Sequence, residues 1–433
     1  MRDRESAGPS RPDKPDSPDV ARAKLASALR DSGRAISGSV QRAFAEVPRH
    51  IFVPEAGPSA YRDEAFVIKC GSDGLPISSS SQPAMMAIML DQLGLEPGHR
   101  VLEIGTGSGY NAAVMAAVVG GLGQVASVDI DAELVARARS SLAAAGYQDV
   151  IVRCGDGGYG DPDDAPFDRI VVTAGAWDIA PAWLEQLTPE GRLVLPLSIR
   201  GLQLSIGLDR RGGVWSSSSA CRCGFVRMLG AFAGPEQVLR VDGPHGLYAQ
   251  MSDGSPADPR ALRLALSGPV TDVTADAGMS GAADLADLDL WLTVTQPELD
   301  RITVLAAPGG WLPLAQFLPF GGLVWHATEA DRLGVALLLP GEAAGFGSAG
   351  GHDVVVRGYG RGGAELAARL AGQVPAWVDL GRPGTRDICL YVLPSGLRKE
   401  DVEVSDRPAN LVVIDRPSAR IELGWPSALP DCT

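Results

Sequence analysis

The stretch that decides the fold is residues 100–110, RVLEIGTGSGY. Its first half is an apolar run typical of a buried strand, and its second half carries three alternating glycines, Gly105, Gly107 and Gly109. Glycine is needed where a bound molecule lies against the backbone, because a Cβ atom would collide with it. A nicotinamide fingerprint reads G-x-G-x-x-G, whereas the pattern from Glu103 is E-x-G-x-G-x-G. This spacing favours S-adenosyl-L-methionine over a nicotinamide dinucleotide.

Helical and strand-like segments alternate on both sides of this stretch. The helical segment 83–95 precedes it, and a helix, a strand, a second helix and a second strand follow over residues 111–156. Such alternation implies right-handed βαβ crossovers and a mainly parallel sheet. We therefore predict a Rossmann-like α/β fold, that of a class I methyltransferase. Further upstream, residues 20–47 have the pattern of one amphipathic helix that Pro48 closes.

The length of 433 residues predicts more than one domain. The predicted segments are a disordered tail (1–19), the methyltransferase domain (20–235), a linker or irregular crossover rich in Gly, Ser, Asp and Pro (236–287), and a C-terminal α+β domain (288–433). In the last segment, β-like runs that begin with LDLWLTV (288–294) surround one helix at 363–378. This domain is a candidate for peptide recognition, and its aromatic side chains are either contacts or core: Trp311, Phe317, Phe320 and Trp325.

Composition restricts the classes of partner. A formal net charge of -14 argues against phosphate-driven binding of nucleic acid and suits small molecules or peptides. No apolar run reaches the ~18 residues that a membrane span needs, and the N-terminus lacks the apolar core of a signal peptide, so we expect a cytoplasmic protein without a membrane partner. Of the six cysteines, Cys221 and Cys223 are the one close pair, which favours ordinary thiols and no metal site.

Two acidic residues follow the glycines at the spacing of a nucleoside site. Asp129 ends the second strand, where its carboxylate can accept hydrogen bonds from both ribose hydroxyls, and Asp156 after the next strand is placed for the adenine amino group. Each feature alone has a simpler interpretation, since the glycine turn can simply be tight and each Asp can cap a helix. The glycine turn, Asp129 and Asp156 together, in register, favour a cofactor site. The predicted cofactor-binding residues are Glu103, Gly105, Thr106, Gly107, Ser108, Gly109, Asp129, Ile130, Asp156 and Gly157.

Longer motifs carry a resemblance to a family. The combination VPR-x-x-FVP (47–54), Ser-Gln-Pro before a helix (81–83) and GTGSGY (105–110) resembles protein-L-isoaspartate (D-aspartate) O-methyltransferases, over about residues 35–230. The resemblance implies methylation of an aspartyl-type carboxylate, with S-adenosyl-L-homocysteine as the second product. It also implies that Ser81 lies beside the substrate carboxylate as the catalytic residue.

The serine-rich segment 78–81 departs from the family pattern. Ser79 and Ser80 stand where the family usually has Thr and Ile. By position, the resemblance makes Ser80, Ser81 and Gln82 the substrate-binding residues. The simpler interpretation of this segment is a solvent-facing loop that caps the next helix.

Three functions stay open. C-terminally extended chains with such a serine-rich loop resemble methyltransferases of actinobacterial ribosomal peptide pathways (lanthipeptide and graspetide), which methylate an Asp of a cyclised precursor and so install aspartimide or isoaspartate. The second is repair of L-isoaspartyl residues in damaged proteins. The third is a non-catalytic subunit that binds the cofactor and a peptide. No general base is required for the first two, because a carboxyl group with a pKa of ~4 is already ionised at neutral pH.

Overall fold

The computed structural model describes residues 16–211, 213–242, 247–251, 258–306, 321–325, 333–340, 352–395 and 411–426. Most of the predicted tail, residues 1–15, lies outside this range. The candidate contacts Trp311, Phe317 and Phe320, and the side chain of Trp325, lie outside it as well. Among the helices that are described, none combines the length and the apolar character that a membrane crossing requires.

The N-terminal helical segment is two helices, so the prediction of one continuous helix was wrong. These are α1 (Pro18–Asp31) and α2 (Gly38–Glu46). Gly33 follows α1 with a φ of 68°, the left-handed conformation that ends helices. The side chain of Ser37 then accepts a hydrogen bond from the backbone N–H of Val40 and starts the second helix. The apolar periodicity spans this break because both helices pack on the same core.

The cofactor-binding half continues with the following elements: α3 (Arg49–Phe52), a 3₁₀ segment (Pro54–Tyr61), β1 (Phe66–Cys70), β2 (Pro76–Ser80), α4 (Pro83–Leu93), β3 (Arg100–Ile104), α5 (Tyr110–Val119), a 3₁₀ turn (Gly120–Leu122), β4 (Gln124–Asp129), α6 (Ala132–Ala144), β5 (Ile151–Cys154), a 3₁₀ turn (Gly157–Tyr159), β6 (Phe167–Val172), α7 (Pro181–Glu185), β7 (Leu187–Ile199), β8 (Leu202–Arg211) and β9 (Val214–Cys223). Strands β1 and β2 form a separate antiparallel hairpin. The others belong to one large sheet.

That sheet confirms the predicted Rossmann-like α/β fold. Strands β5, β4, β3, β6 and β7 are neighbours in this order and run parallel, with Leu102 opposite Ala126 on one side and Ile170 on the other. Strands β8 and β9 continue the sheet in antiparallel register. The near-continuous apolar sequence of β3 fits a strand that is covered on both faces.

The C-terminal half supplies the remaining elements: β10 (Gln237–Asp242), β11 (Leu247–Met251), α8 (Pro259–Leu266), β12 (Val270–Met279), α9 (Ala282–Thr295), β13 (Asp300–Ala306), β14 (Gly321–Trp325), β15 (Gly334–Pro340), β16 (His352–Tyr359), α10 (Gly363–Ala371), α11 (Val374–Asp379), β17 (Cys389–Pro394), β18 (Val412–Asp415) and β19 (Ala419–Gly424). A seven-stranded antiparallel sheet has the order β10-β11-β13-β14-β15-β16-β12. The segment 236–287, predicted as a linker or irregular crossover, thus contributes three of these strands.

The run LDLWLTV (288–294) was predicted as β-like, and this prediction was wrong, because the run lies inside α9. Leu288, Leu290, Trp291, Leu292 and Val294 are all buried. A helix buried on every side and a strand buried on both faces produce the same unbroken apolar run. Length distinguishes a buried helix from a buried strand. The helix α9 begins six residues before the apolar run and has 14 residues, which is longer than a typical strand.

The last strands do not stay with the seven-stranded sheet. Strand β17 pairs with β9, with Val392 opposite Trp215, and β19 and β18 follow, so the large sheet has ten strands. One hydrophobic cluster runs from Leu102 of the cofactor half to Trp377 and Trp425 of the C-terminal half. The two halves therefore share a core, and the C-terminal elements extend the methyltransferase sheet.

This shared core predicts that damage to β17 also destabilises the cofactor half. Val392 is fully buried, so we expect Val392→Asp to lower the free energy of unfolding by roughly 4 kcal/mol or more through an unpaired buried carboxylate. Val413 on β18 is exposed, and Val413→Asp is the matched control with an effect within about 0.5 kcal/mol. Urea unfolding measures both. If cofactor binding and the unfolding of the first half were unchanged in Val392→Asp, the two halves would be independent.

Candidate active site

A cleft of about 180 Å³ opens at the carboxyl ends of the parallel strands β3, β4 and β6. This is the edge where open α/β sheets bind their ligands. Nearly all the predicted cofactor residues line it: Glu103, Gly105, Thr106, Gly107, Ser108, Asp129, Ile130 and Gly157. Gly109 ends the glycine loop at the start of α5, and Asp156 precedes the lining residue Gly157 in the chain. The structure thus brings together residues from three separate strand ends.

The glycine loop requires glycine for two reasons. Gly105, Gly107 and Gly109 have φ values of 100°, 51° and 84°, in the left-handed region that other residues rarely adopt. In addition, a Cβ atom at Gly105 would lie 2.7 Å from Oγ1 of Thr173, at the end of β6. The loop is therefore fixed by its own backbone and by Thr173 after β6, and its three glycines add no side chains to the cleft.

Glu103 is fully buried at the floor of the cleft. Its carboxylate accepts a hydrogen bond from Nδ2 of Asn111 at 2.8 Å and one from Oγ of Ser127 at 2.6 Å, and Ser127 in turn contacts Oγ1 of Thr106 at 2.7 Å. Burial raises the pKa of Glu103 to about 7, although both hydrogen bonds oppose the shift. The site thus has an acid that changes charge near neutral pH, and a cationic ligand would favour its ionised form.

Asp129 holds the glycine loop in place. Its Oδ2 accepts a hydrogen bond from the backbone N–H of Gly107 at 2.9 Å, and its Oδ1 accepts one from the N–H of Asp131 at 3.0 Å. Each carboxylate oxygen has further acceptor capacity, so these bonds leave room for the predicted ribose contacts. Ile130, next to it, is 44% exposed on the wall of the cleft.

Asp156 has structural partners of its own. Its Oδ1 accepts from the N–H of Gly158 and caps a 3₁₀ turn, and its Oδ2 accepts from the N–H of Ala231 at 2.7 Å. The alternative role as a cap is thus present in the structure, and the adenine contact stays a prediction. Gly157 lines the cleft, and its carbonyl accepts a hydrogen bond from the buried indole of Trp183.

Sequence reasoning missed the segment that closes one side of the cleft, residues 226–229. Gly175, after β6, donates to the carbonyl of Val226 at 2.8 Å, and the N–H of Met228 donates to the carbonyl of Gly175 at 2.9 Å. This pairing joins positions about fifty residues apart in the chain, and no short sequence motif marks it. The TAG sequence at 173–175, at the end of a parallel strand, was the one available signal.

The serine-rich segment is mostly a strand and not a loop. Ser78, Ser79 and Ser80 belong to β2 and pair with Lys69, Val67 and Phe66 of β1. Ser80 is buried, and its Oγ has no hydrogen-bond partner among the described residues. The side chain of Gln82 donates to Oδ2 of Asp63 at 3.1 Å. The three predicted substrate residues are therefore adjacent in space, but their side chains have different surroundings.

A buried arginine holds the end of this segment. The guanidinium of Arg49 donates to the carbonyls of Ala60, Arg62, Glu64 and Ser81 at 2.9–3.0 Å. Its Cζ atom lies 5.0 Å from the centroid of the Phe66 ring. Burial lowers the pKa of Arg49 to about 10, so the side chain stays charged at neutral pH. Arg49 thereby sets the position of the Ser81 backbone.

Ser81 lies between two cavities. Ser79 and Ser81 line the cofactor cleft, and they also line a second cavity of about 350 Å³. The lining of this second cavity also includes Gln250 of β11 and Arg301 of β13, both from the C-terminal half. In the part of the chain that the structure describes, no cluster of three or more His, Cys, Asp or Glu could hold a metal ion. The arrangement suits transfer of a group from a molecule in the cleft to one in the second cavity.

Comparison with known proteins gives a consistent result. The family model described as Protein-L-isoaspartate(D-aspartate) O-methyltransferase (PCMT) matches residues 20–231. The chain is 46% identical over 182 residues to Protein-L-isoaspartate O-methyltransferase 2 of Archaeoglobus fulgidus, covering 41% of this chain and 79% of the relative. It is 41% identical over 223 residues to the Methanopyrus kandleri protein named Protein-L-isoaspartate O-methyltransferase, covering 50% and 95%. A relative of that name from Thermotoga maritima is 41% identical, but the match spans about half of its length, 52%, and 38% of this chain.

Among solved structures, one from Plasmodium falciparum is described as a putative protein-L-isoaspartate O-methyltransferase in complex with S-adenosyl-L-homocysteine. Its TM-score is 0.42 at 20% sequence identity, and the match covers 48% of this chain and 98% of that one.

The contacts of Arg49 predict a large loss of stability when its guanidinium is removed. In Arg49→Met, four backbone carbonyls lose a charged donor, and we expect the free energy of unfolding to fall by about 3 kcal/mol or more. Arg30 is exposed on α1, and Arg30→Met is a matched control, expected within about 0.5 kcal/mol of the parent. Urea denaturation measures both. Equal midpoints for the two variants would contradict the structural role of Arg49.

The raised pKa of Glu103 predicts pH-dependent cofactor binding. A cation in the cleft stabilises the ionised carboxylate, so the affinity for S-adenosyl-L-methionine should be highest above pH 7 and fall as the pH drops through about 7. In the unbound protein, the free energy of unfolding should fall as pH rises toward 7, because the folded state holds this proton more tightly than the unfolded chain. Calorimetric titration at pH 6 and pH 8 measures the first effect. Glu103→Gln should bind more weakly with little pH dependence, and a wild-type affinity independent of pH would refute the assignment.

Proposed function

The chain belongs to the protein-L-isoaspartate (D-aspartate) O-methyltransferase family, and from this premise we propose that it methylates the side-chain carboxylate of an aspartyl-type residue in a peptide. We further propose that this peptide is a macrocyclised ribosomal product. The observation that carries the proposal is the shared serine wall. Ser79 and Ser81 face both the cofactor cleft and the second cavity, so a carboxylate in that cavity lies next to the cofactor site.

The residues of the cleft fit S-adenosyl-L-methionine. Three glycines with positive φ place no side chains of their own against it, and the buried acid Glu103 complements a cationic ligand. Asp129 and Gly157 would hold the nucleoside, and Glu103 and the loop at 105–109 would hold the amino-acid part. When bound, the cofactor supplies an electrophilic methyl group on a sulfonium sulfur.

The chain's own task is then to orient the acceptor. An aspartyl-type carboxylate is ionised at neutral pH and needs no base. The hydroxyl of Ser81 would donate a hydrogen bond to one carboxylate oxygen and leave the other in line with the methyl group. Orientation of this kind can supply ~7–11 kcal/mol of the barrier reduction. Arg49 supports it by fixing the Ser81 carbonyl at 3.0 Å.

The product is a methyl ester, which is a better electrophile than the carboxylate. The backbone nitrogen of the next residue attacks the ester carbonyl, methanol leaves, and a succinimide (aspartimide) forms. Addition of water to either carbonyl of the ring gives aspartate or isoaspartate. The same chemistry serves tailoring of a new peptide and repair of a damaged protein.

The C-terminal half favours tailoring. Gln250 and Arg301 line the second cavity together with the serines, so the acceptor would enter a cleft to which both halves of the chain contribute. Such a cleft suits a compact, constrained peptide better than isoaspartyl sites in many unrelated proteins. Repair stays the second candidate, because the relatives at 41–46% identity carry the name protein-L-isoaspartate O-methyltransferase.

Mass spectrometry with two peptides in parallel separates the candidates. We expect a cyclised Asp-containing precursor to gain one methyl group and then lose methanol, while a linear isoaspartyl peptide is modified at least ten times more slowly. Modification of the linear peptide alone would establish repair. Binding of cofactor and peptide without turnover of either would support a non-catalytic subunit.

Matched serine variants tie the activity to the site. Ser81→Ala should lower the rate about tenfold or more while cofactor affinity is unchanged, because the hydroxyl orients the acceptor. Ser72 is exposed in the turn of the same hairpin, and Ser72→Ala should leave the rate unchanged. Equal rates for both variants would remove Ser81 from the mechanism.

A further inference from the structure

We infer that Ser80 is a cofactor-binding residue, whose hydroxyl donates a hydrogen bond to the α-carboxylate of S-adenosyl-L-methionine. This inference rests on the cofactor of the proposed function and is independent of the peptide. It changes the role of Ser80, because the resemblance placed this residue against the substrate. Ser80 is the last residue of β2, and it lines the cofactor cleft.

The side chains of the serine segment alternate between two environments. Ser78 and Ser80 are 8% and 3% exposed, whereas Ser79 between them is half-buried. Ser79 and Ser81 also line the second cavity, but Ser78 and Ser80 line the cofactor cleft and not the second cavity. Successive side chains of a strand point to opposite faces. One face of the serine strand therefore belongs to the cofactor alone.

This face of β2 lies against the glycine loop. A Cβ atom at Gly107 would lie 3.5 Å from Oγ of Ser78 and 3.4 Å from the carbonyl oxygen of Ser79. The proposed function places the amino-acid part of the cofactor at this loop, and the nucleoside at Asp129 and Gly157. The Ser78–Ser80 face is thus next to the end of the cofactor that carries its carboxylate.

The hydroxyl of Ser80 is buried without a protein partner. Its Oγ has no hydrogen-bond partner among the described residues, although nearly all buried polar atoms in folded proteins have one. A buried hydroxyl without a partner destabilises a fold. Ser80 stands where the family usually has Ile, so this chain carries a polar group that the family pattern does not need. A bound molecule that accepts a hydrogen bond would give the hydroxyl a purpose.

A second unpartnered atom in the cleft has the complementary chemistry. Nδ2 of Asn111, in the first turn of α5, donates to Oε1 of Glu103 at 2.8 Å, and its Oδ1 is buried without a partner in the described part of the chain. An amide oxygen only accepts hydrogen bonds, and a serine hydroxyl can donate one. The α-ammonium group of the cofactor donates and its α-carboxylate accepts. The atoms that are left over at Asn111 and Ser80 therefore match the two charged groups of an α-amino acid.

Calorimetric titration of the full-length protein tests the contact with two ligands. One is S-adenosyl-L-homocysteine, and the other is its analogue without the α-carboxylate. We expect Ser80→Ala to lower the affinity for S-adenosyl-L-homocysteine about tenfold, because a hydrogen bond to a charged group is lost. The affinity for the analogue should change less than twofold. Ser80→Thr keeps the hydroxyl and should retain most of the affinity, and Ser72→Ala, in the exposed turn of the hairpin, is the control.

Urea unfolding of the same variants distinguishes a binding role from a structural one. Without ligand, the midpoint of Ser80→Ala should equal or exceed that of the wild type, because the hydroxyl has no partner to lose. With S-adenosyl-L-homocysteine present, the midpoint should rise less in Ser80→Ala than in the wild type. A lower midpoint without ligand, or failure of Ser80→Ala to fold, would show that the hydroxyl is structural and would overturn the inference.

The outcomes separate this inference from the proposed function. No binding of S-adenosyl-L-homocysteine by the wild-type protein would refute the cofactor itself. Wild-type binding with an equal affinity in Ser80→Ala, or an equal loss of affinity for both ligands, would overturn the contact with the carboxylate and leave the proposed reaction standing. Weaker binding of the peptide at an unchanged cofactor affinity would return Ser80 to the substrate.

Discussion

The guanidinium of Arg49 is buried among four backbone carbonyls, and the position of the serine wall depends on it. Three of these carbonyls belong to residues 60–64, which have no strand partner, and the side chain of Arg49 supplies their hydrogen bonds. A planar cation with several donors can satisfy them together, which an apolar residue of equal size cannot do. The fourth carbonyl is that of Ser81. The irregular segment before the hairpin and the end of the serine strand are therefore fixed by one group, and the cost of burying its charge is offset by these hydrogen bonds and by the Phe66 ring.

A second constraint is the continuity of the large sheet. Strand β9 has β8 on one side and β17 on the other, so the edge that a smaller methyltransferase sheet would expose is covered by the C-terminal strands. The same arrangement brings β13 close to the serine hairpin. The strands of the seven-stranded sheet, β10 to β16, lie in sequence between β9 and β17, and both of these belong to the large sheet. The C-terminal half thus contributes to the shape of the second cavity through its connection to the fold.

The parts of the site that sequence could predict are those that a short stretch of chain determines. Strand β3 and the glycine loop are contiguous, and the acids at the ends of β4 and β5 follow at distances set by the βαβ unit, so their meeting at one edge could be predicted. Arg49, the segment 226–229 and Arg301 could not, because their roles depend on contacts between distant segments. The error at α9 has a related cause. Periodicity reports burial on one side, and an element that is buried on all sides gives no periodicity to read.

The serine wall between the two cavities limits how specificity can evolve in this fold. Ser79 and Ser81 contribute to both cavities, and the backbone of Ser81 is fixed by Arg49, so in the proposed reaction a change there would alter the position of the reacting carboxylate along with substrate choice. The wall supplied by the C-terminal half is free of that conflict, because Gln250 and Arg301 line the second cavity and not the cofactor cleft. Specificity is a difference between affinities, and it can be tuned on that wall without disturbing the geometry of methyl transfer. A second sheet that supplies such a wall gives a methyltransferase domain a way to acquire a particular substrate while its chemistry stays the same.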